Sequence, residues 1–178
     1  VYEASDRICG GQLLMASSSP CKDILNHVPA FFGVQLGRMS NVEIKLNTPV
    51  NEENIDTINA DHVILATGAT PLVPPIPGIE KAKTGQGVLL HKAEVKGDIV
   101  ICGGGQVGVE TALELLERGH KVSIVEMLPD VILKEELMTR IVMMKKLAAA
   151  EVPLYCSHKV CSFEDGAVVI EDMASGEK

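Results

Sequence analysis

The pattern of hydrophobic and polar positions is most regular over residues 98–127, where it predicts a strand, a helix and a second strand. Ile99–Cys102 is a continuous apolar run, typical of a parallel strand buried on both faces. Residues 122–125 form a second run, and Gly119 before them is placed to end the helix in a left-handed cap. The helix carries its apolar positions on one stripe: Val109, Ala112, Leu113 and Leu116.

The pattern is less regular before this segment. Residues 21–39 predict a helix that Pro29 kinks or shortens. The prolines and glycine of 71–78 exclude regular structure and predict a stiff crossover between two lobes. Three short elements are predicted between them: a half-buried strand over 42–46, a short helix or turn over 51–59 and a strand over 62–66.

After the central segment, residues 133–150 predict a second amphipathic helix. Its apolar stripe is Leu137, Ile141, Met144 and Ala148. Asp165-Gly166 is a favoured tight hairpin turn. The strands predicted in this region cover 152–156, 160–163 and 167–171, and the turn joins the last two.

Gly103, Gly105 and Gly108 separate the first strand of the central segment from its helix. The first glycine permits a tight turn, the second lets the backbone approach a pyrophosphate, and the third lets helix and strand pack closely. The N–H groups at the helix start would face the phosphates, whose negative charge the helix dipole favours. We therefore predict a dinucleotide site. The alternative is a glycine turn that only packs the helix on the sheet.

Glu126 ends the second strand, where a carboxylate can accept hydrogen bonds from the adenosine ribose. Met127 and Leu128 follow, so no arginine stands beside Glu126 to meet a 2′-phosphate. The sequence thus favours NAD over NADP. Cys102, next to the glycines, is interpreted as a small buried core residue rather than a reactive thiol.

Composition narrows the classes of partner. The net charge of −8 argues against nucleic acid or an anionic membrane, but not against a dinucleotide held by backbone amides. No apolar run is long enough to cross a bilayer, and no signal peptide is visible. The five cysteines include no Cys-x-x-Cys pair and predict reduced thiols in a cytoplasmic protein. The five histidines are dispersed, so no metal site is predicted.

The beginning of the chain parallels its central segment. Residues 1–3 and 123–126 are both apolar strands that end in glutamate. If the parallel holds, the strand, glycine loop and helix that should precede Glu3 are missing, and residues 174–178 lack a closing strand, so both ends look cut. Residues 4–19 suit a loop lying against a ligand. An ordinary glycine-rich connector is the alternative.

Three ordered segments carry a family resemblance: VYEASDRICGGQL, HVILATGATPLVPPIPG and the 98–127 motif. Together they resemble flavoproteins with two dinucleotide-binding domains, such as the thioredoxin and glutathione reductase groups. HKAEVKGDIVICGGGQVGVETALELLERG and VEMLPD are similar to the C-terminal module of the NADH:flavin oxidoreductases, especially the enoate reductase branch. The resemblance covers nearly the whole chain.

The resemblance implies an FAD site in the first part of the chain. Glu3 matches the acid that binds the adenosine ribose of FAD. Gly11, Gln12 and Leu13 match the loop that runs toward the flavin end. Val50 matches a position whose backbone meets the adenine. Thr67 and Gly68 match the segment beside the FAD diphosphate.

The resemblance also implies the NADH site, with catalytic residues left unknown. Glu110 matches an acid near the nicotinamide end that would orient the carboxamide, and a solvated helix-surface residue is the equal alternative. The other matching residues are Gly103, Gly105, Gln106, Val107, Gly108 and Glu126. No metal ligands are implied within this chain.

The predicted fold class is α/β, a Rossmann-like three-layer nucleotide-binding domain with a truncated FAD-binding half. Residues 1–92 are predicted to be a partial FAD-binding domain without its N-terminal glycine motif. Residues 93–178 are predicted to be an NAD(H)-binding domain truncated at its C-terminal end.

The implied function is transfer of a hydride from NADH to FAD, with electrons passed to a substrate-reducing domain outside the chain. The resemblance implies NAD(H) here, FAD in the complete parent protein, and an upstream barrel with FMN and an iron–sulfur cluster as partner. A homo-oligomer is a further expectation, because unpaired sheet edges can associate. The alternative is a non-catalytic nucleotide-binding or scaffold module. The lack of a Cys-x-x-Cys pair disfavours a disulfide reductase.

Overall fold

A computed structural model describes residues 1–20 and 22–178 and divides them into two compact units, Val1–Thr70 and Pro71–Lys178. The division falls where the proline-rich segment begins. Residues 71–92, which we assign to the FAD-binding part on sequence, thus belong to the second compact unit. The assignment of each part to a cofactor stays a prediction.

The first unit consists of short helices and irregular segments. Helix α1 spans Gln12–Ser17 and helix α2 spans His27–Gly37. Single 3₁₀ turns occupy Asp23–Asn26 and Ile55–Thr57, the latter inside the predicted 51–59 element. The loop predicted over 4–19 is therefore wrong for Gln12–Ser17, because the Gly11 carbonyl accepts the Leu14 N–H at 3.1 Å and starts a helix.

Helix α2 is shorter than the predicted 21–39 element, whose first residue lies outside the described residues. Pro29 lies in its first turn, where a missing N–H breaks no helical hydrogen bond, so the helix begins just before the proline. Its aromatic residues Phe31 and Phe32 are exposed and touch edge to face, with ring centroids 5.5 Å apart. These two large apolar side chains of α2 are therefore not buried by the described residues.

The strands predicted over 42–46 and 62–66 are wrong. Near the first, Tyr2 and Lys45 form an isolated parallel bridge, and Lys45 N–H donates to the Val1 carbonyl at 2.8 Å. Near the second, Val63, Ile64 and Leu65 are exposed, and Ile64 is 90% exposed. Apolar residues form a strand only where a neighbour supplies the backbone hydrogen bonds, and the described residues supply none to 62–66.

The second unit is a mixed α/β structure around a parallel sheet. The three-stranded sheet has the order β1-β2-β3, with every strand parallel to its neighbour. A separate two-stranded antiparallel sheet pairs β4 with β5. The strands are β1 (Ile99–Cys102), β2 (Val122–Glu126), β3 (Leu154–Cys156), β4 (His158–Glu164) and β5 (Ala167–Asp172). The helices are α3 (Gly85–Leu89), α4 (Gln106–Glu117) and α5 (Leu137–Ala149).

These elements confirm the predicted order of strand, helix, strand, helix, strand and hairpin. Gly166 has φ +76° in the predicted turn between β4 and β5. Gly119 has φ +85°, and its N–H and that of His120 donate to the Leu116 and Leu115 carbonyls, as in a left-handed helix cap. Helix α3 was not predicted, because its glycine-rich sequence lacks a helical stripe. The Thr84 side chain caps it by accepting the Gly87 N–H at 3.1 Å.

The core lies between the parallel sheet and its helices. Its largest fully buried apolar residues are Leu89, Val109, Leu115, Ile124, Val131 and Leu147. The expectation that β1 is buried on both faces is wrong, because Val100 and Cys102 are exposed while Ile99 and Ile101 pack on the core. The reason is that β1 pairs only with β2 among the described strands and lies at the edge of the sheet.

The stripe predicted on α5 is displaced. Met143 and Leu147 are buried, whereas Leu137 is 64% exposed and Ile141 is also exposed. Glu136 fixes the start of the helix, since its carboxylate accepts the Met138 and Thr139 N–H groups at 3.0 Å each. A long run of apolar residues on several faces left the buried face ambiguous in the sequence.

Candidate functional site

The glycine loop joins β1 to α4 with two close backbone approaches. Gly103 has φ +112°, and its N–H donates to the Val125 carbonyl at 2.8 Å, which extends the pairing of β1 with β2. A Cβ atom on Gly108 would overlap the Gly103 carbonyl oxygen. Gly103 therefore makes the turn, and Gly108 lets α4 pack against the strand, as the sequence motif predicts.

Gly104, the middle glycine, is enclosed by the segment that follows β2. Its N–H donates to Glu126 Oε2 at 2.6 Å, and its carbonyl accepts the Ile132 N–H at 2.7 Å. A Cβ on Gly104 would overlap the side chain of Val131. The loop is thus held from one side by residues 126–132.

The opposite side of the loop is open. Gly105 is exposed, and a Cβ added there would meet nothing within 4 Å. Gly105 is the N-cap of α4 with no side-chain cap hydrogen bond, and exposed Val107 lies in the first turn. Backbone N–H groups at such a helix start, with the positive end of the helix dipole, form an anion-binding site. Gly105, Gln106 and Val107 could therefore hold the phosphates of a dinucleotide.

Glu126 lies at the carboxyl end of β2 and touches the glycine loop directly. Its two carboxylate oxygens accept the N–H groups of Gly104 at 2.6 Å and of Leu128 at 2.8 Å. A carboxylate has about four lone-pair positions, so each oxygen retains capacity for a hydroxyl donor. The residue can both fix the loop and meet a ribose.

Glu110 is buried on α4, only 4% exposed, so the alternative of a solvated surface residue is wrong. Gln106 Nε2 donates to Glu110 Oε1 at 3.1 Å, one helical turn away. Thr111 beside it is also buried. The predicted α4 stripe missed these positions and Leu115, because α4 is covered on more of its circumference than one stripe. The role of Glu110 at a nicotinamide stays a prediction.

The thiol beside the loop is in the protonated form at neutral pH. Burial of the Cys102 sulfur in surrounding protein raises its pKa to about 11, although part of the residue remains exposed. The interpretation of Cys102 as a buried core residue is wrong, because the residue as a whole is exposed on edge strand β1. The raised pKa nevertheless agrees with an unreactive thiol. Cys9, Cys102, Cys156 and Cys161 are free thiols, and Cys21 lies outside the described residues.

The residues expected at an FAD site lie in separate stretches of the first unit. The Glu3 carboxylate accepts the Ser5 N–H at 2.8 Å, and this backbone hydrogen bond lowers the pKa of Glu3. Gly11, Gln12 and Leu13 are at the start of α1. Val50 is half-buried, and Thr67 and Gly68 are exposed in an irregular segment, with φ +73° at Gly68. Their role in binding FAD stays a prediction.

Residues 1–20 and 22–178 contain neither a candidate membrane-spanning helix nor a candidate metal cluster. No described helix combines the length and apolar character that a bilayer-crossing helix needs. No described cluster of three or more His, Cys, Asp or Glu side chains is placed to hold a metal ion.

Sequence reasoning missed the segment that closes over the glycine loop. Val131 and Ile132 are fully or almost fully buried, and Ile132 has φ +47°, which is uncommon for a β-branched residue. The signal was present in the run of three glycines, since the middle one, Gly104, has no function in the G-x-G-x-x-G motif. A glycine without a motif role indicates a close approach by another segment.

Comparison with known proteins agrees with this geometry. The chain is 39% identical over 152 residues to an NADH oxidase of Thermoanaerobacter brockii, covering 82% of the chain and 23% of the relative. It is 45% identical over 91 residues to a cinnamate reductase of Clostridium sporogenes, covering 51% of the chain and 14% of the relative. A solved 2-naphthoyl-CoA reductase complex has the same fold, with a TM-score of 0.89, 22% identity and coverage of 99% of this chain and 26% of that one.

The parallel sheet, glycine loop and terminal acid define a Rossmann-like nucleotide-binding module. The sequence profile of the pyridine nucleotide-disulphide oxidoreductases matches residues 31–178, and the chain belongs to that family. The family and its relatives support an oxidoreductase function and imply use of a flavin and NAD(P)H. The chain spans 23% of the length of the NADH oxidase and 14% of the length of the cinnamate reductase.

Proposed function

We propose that this chain is the nicotinamide-binding core of a flavin-dependent oxidoreductase. In this proposal NADH binds at the glycine loop, its hydride passes to FAD, and the electrons pass to a substrate-reducing domain outside the chain. The alternative function is a nucleotide-binding or scaffold module without redox chemistry.

The observation that carries the proposal is the asymmetry of the glycine loop. Gly104 and Gly108 are packed against protein, whereas Gly105 faces open space at the uncapped start of α4. A loop that only packed helix on sheet would need the close approach at Gly108 but no open glycine. The open side supports a ligand that approaches the backbone, as a pyrophosphate does.

Two acidic side chains suit the two ends of NADH. Glu126 can accept hydrogen bonds from the ribose hydroxyls while it holds the Gly104 and Leu128 N–H groups. A 2′-phosphate would face the same carboxylate and be repelled, which favours NADH over NADPH. Glu110 and Gln106, paired at 3.1 Å, would orient the nicotinamide carboxamide.

The cofactors supply the hydride chemistry when they are bound, and the protein supplies position and electrostatics. The backbone of 103–108 would hold the phosphates, and Glu126 would position the adenosine by accepting hydrogen bonds from its ribose. FAD would belong to the complete parent protein, with Glu3, Gly11, Gln12, Leu13, Val50, Thr67 and Gly68 contributing to its site.

The substrate and partners are also proposals. A relative that shares 45% identity over 91 residues is named a cinnamate reductase, which supports a parent enzyme of the enoate reductase type. Its partner would be an upstream flavin and iron–sulfur barrel domain. The exposed Phe31 and Phe32 are compatible with association, including a homo-oligomer.

Flavin spectroscopy tests the redox function. The full-length parent is purified, supplied with FAD and titrated with NADH without oxygen. The proposal predicts bound flavin whose visible absorbance is bleached by NADH. Full-length protein that binds NADH but cannot take up FAD would contradict the redox function and support the scaffold alternative.

A further inference from the structure

An ion pair lies in the segment that closes over the glycine loop. Asp130 is in the loop after β2, and its carboxylate pairs with the Arg140 guanidinium of α5 through Oδ2 and Nη2. The other Asp130 oxygen accepts the Val131 N–H at 2.8 Å, and Val131 packs on Gly104. The pair is therefore tied to the loop that would hold the dinucleotide.

The same pair is close to Glu126. Cys156 on β3 is the register partner of Glu126 at the carboxyl edge of the sheet. Burial raises the pKa of Cys156, and the negative charges of Asp130 and Glu126 raise it further. Both carboxylates are thus near one thiol, at the edge where the adenosine ribose lies in a Rossmann arrangement.

Arg140 retains hydrogen-bonding capacity. Its Nε is buried and has no hydrogen-bond partner among the described residues, and its side chain is 28% exposed. It lies early in α5, where the helix dipole disfavours a cation and a neighbouring anion offsets that effect. Asp130 supplies that anion in the structure.

We propose that Asp130 determines nucleotide preference by occupying Arg140, which would otherwise bind the 2′-phosphate of NADPH. A guanidinium accommodates a 2′-phosphate through charge-assisted, bidentate hydrogen bonds. With Asp130 present, the negative charges of Glu126 and Asp130 lie at the ribose end, and the Arg140 guanidinium is paired with one of them. This inference rests on the proposed NADH site and adds a residue that the strand-end motif does not include.

The test measures dissociation constants of NADH and NADPH for the full 178-residue chain by nicotinamide fluorescence. We expect Asp130→Ala to tighten NADPH binding about tenfold or more, because a charge-assisted hydrogen bond becomes available. NADH binding should change by less than about threefold, since NADH has no 2′-phosphate to meet the freed guanidinium and Glu126 still meets its ribose. Asp130→Asn, which keeps the side-chain volume, should shift the ratio of the NADH and NADPH dissociation constants in the same direction. It replaces Asp130→Ala in the test if that variant does not fold.

Two further variants complete the design. Asp130→Ala combined with Arg140→Met should lose the gain in NADPH affinity, because the guanidinium is gone. Asp165→Ala removes one charge from the exposed hairpin turn, where Asp165 pairs with Lys81 at 2.8 Å, and should leave the ratio unchanged.

The outcomes separate the two proposals. Binding of NADH by the wild-type chain, with an unchanged nucleotide ratio in both folded Asp130 variants, overturns the role of Asp130 alone. A gain in NADPH affinity that survives Arg140→Met also overturns it. A folded wild-type chain that binds neither nucleotide overturns the proposed function and this inference together.

Discussion

Three adjacent glycines, Gly103 to Gly105, show how the same residue type serves different physical purposes within one loop. Gly103 takes a positive φ of 112°, Gly104 accommodates the side chain of Val131, and Gly105 faces open space. The sequence motif accounts for Gly103 and Gly105. The need for Gly104 depends on residues 126–132, which approach from beyond the next strand. The lack of a motif role for Gly104 indicates a close approach, but not which segment makes it.

Alanine variants of Gly108 and Gly105 form a matched pair for a test of folding stability. We expect Gly108→Ala to lower the free energy of unfolding by about 2–3 kcal/mol, because the new Cβ overlaps the Gly103 carbonyl and the helix must shift. Gly105→Ala should cost much less, since its φ of −72° suits alanine and its Cβ meets nothing within 4 Å. Urea unfolding of both variants measures the difference. Equal losses would contradict the close approach at Gly108.

At the scale of elements, strong periodicity predicted structure and weak periodicity did not. The β1-loop-α4-β2 segment has apolar runs, glycines and a cap that agree with one another. The strands over 42–46, an alternating pattern, and 62–66, a continuous apolar run, were wrong because neither pattern can show whether a partner strand is present. On α5, apolar residues lie on several faces, so the sequence did not indicate that Met143 and Leu147 are the buried ones. Tertiary packing determines which face is buried.

The cap of α5 gives a pH-dependent prediction. Hydrogen bonds from the Met138 and Thr139 N–H groups lower the pKa of Glu136 below its ordinary 4.5. A lowered folded-state pKa contributes stability above the unfolded value, and that contribution is lost as pH falls through the folded one. Glu136→Ala should thus lower the Tm by a few degrees at neutral pH. The deficit should shrink as the pH falls well below 4.5.

The neighbouring variant Glu135→Ala is the control for this cap. It removes the same charge but not the two hydrogen bonds at the start of α5, so its Tm should stay near that of the wild type at every pH. Thermal unfolding followed by circular dichroism measures both variants. A Glu136→Ala deficit that is constant with pH would show that the carboxylate does not act as the cap.

At the scale of the whole molecule, the sequence predicted the second unit far better than the first. The second unit contains its own parallel sheet and buried core, so its local signals correspond to contacts within the chain. The first unit leaves Phe31, Phe32 and the residues around Ile64 exposed, and patterns that depend on burial fail there. Within the candidate site, the loop residues and Glu126 come together, whereas the closing segment and the Asp130–Arg140 pair, both also in the second unit, required the structure.

The most direct test of the account is a titration of the full chain with NADH, followed by nicotinamide fluorescence, in the wild type and in Gly105→Ala. The account predicts saturable binding that Gly105→Ala weakens about tenfold or more, because its methyl group separates the phosphates from the backbone N–H groups. Gly37→Ala, at the end of α2, also adds a methyl to open space and should bind as the wild type does. A folded wild-type chain without saturable binding, or a Gly105→Ala variant with unchanged affinity, would contradict the assignment of the glycine loop as the nucleotide site.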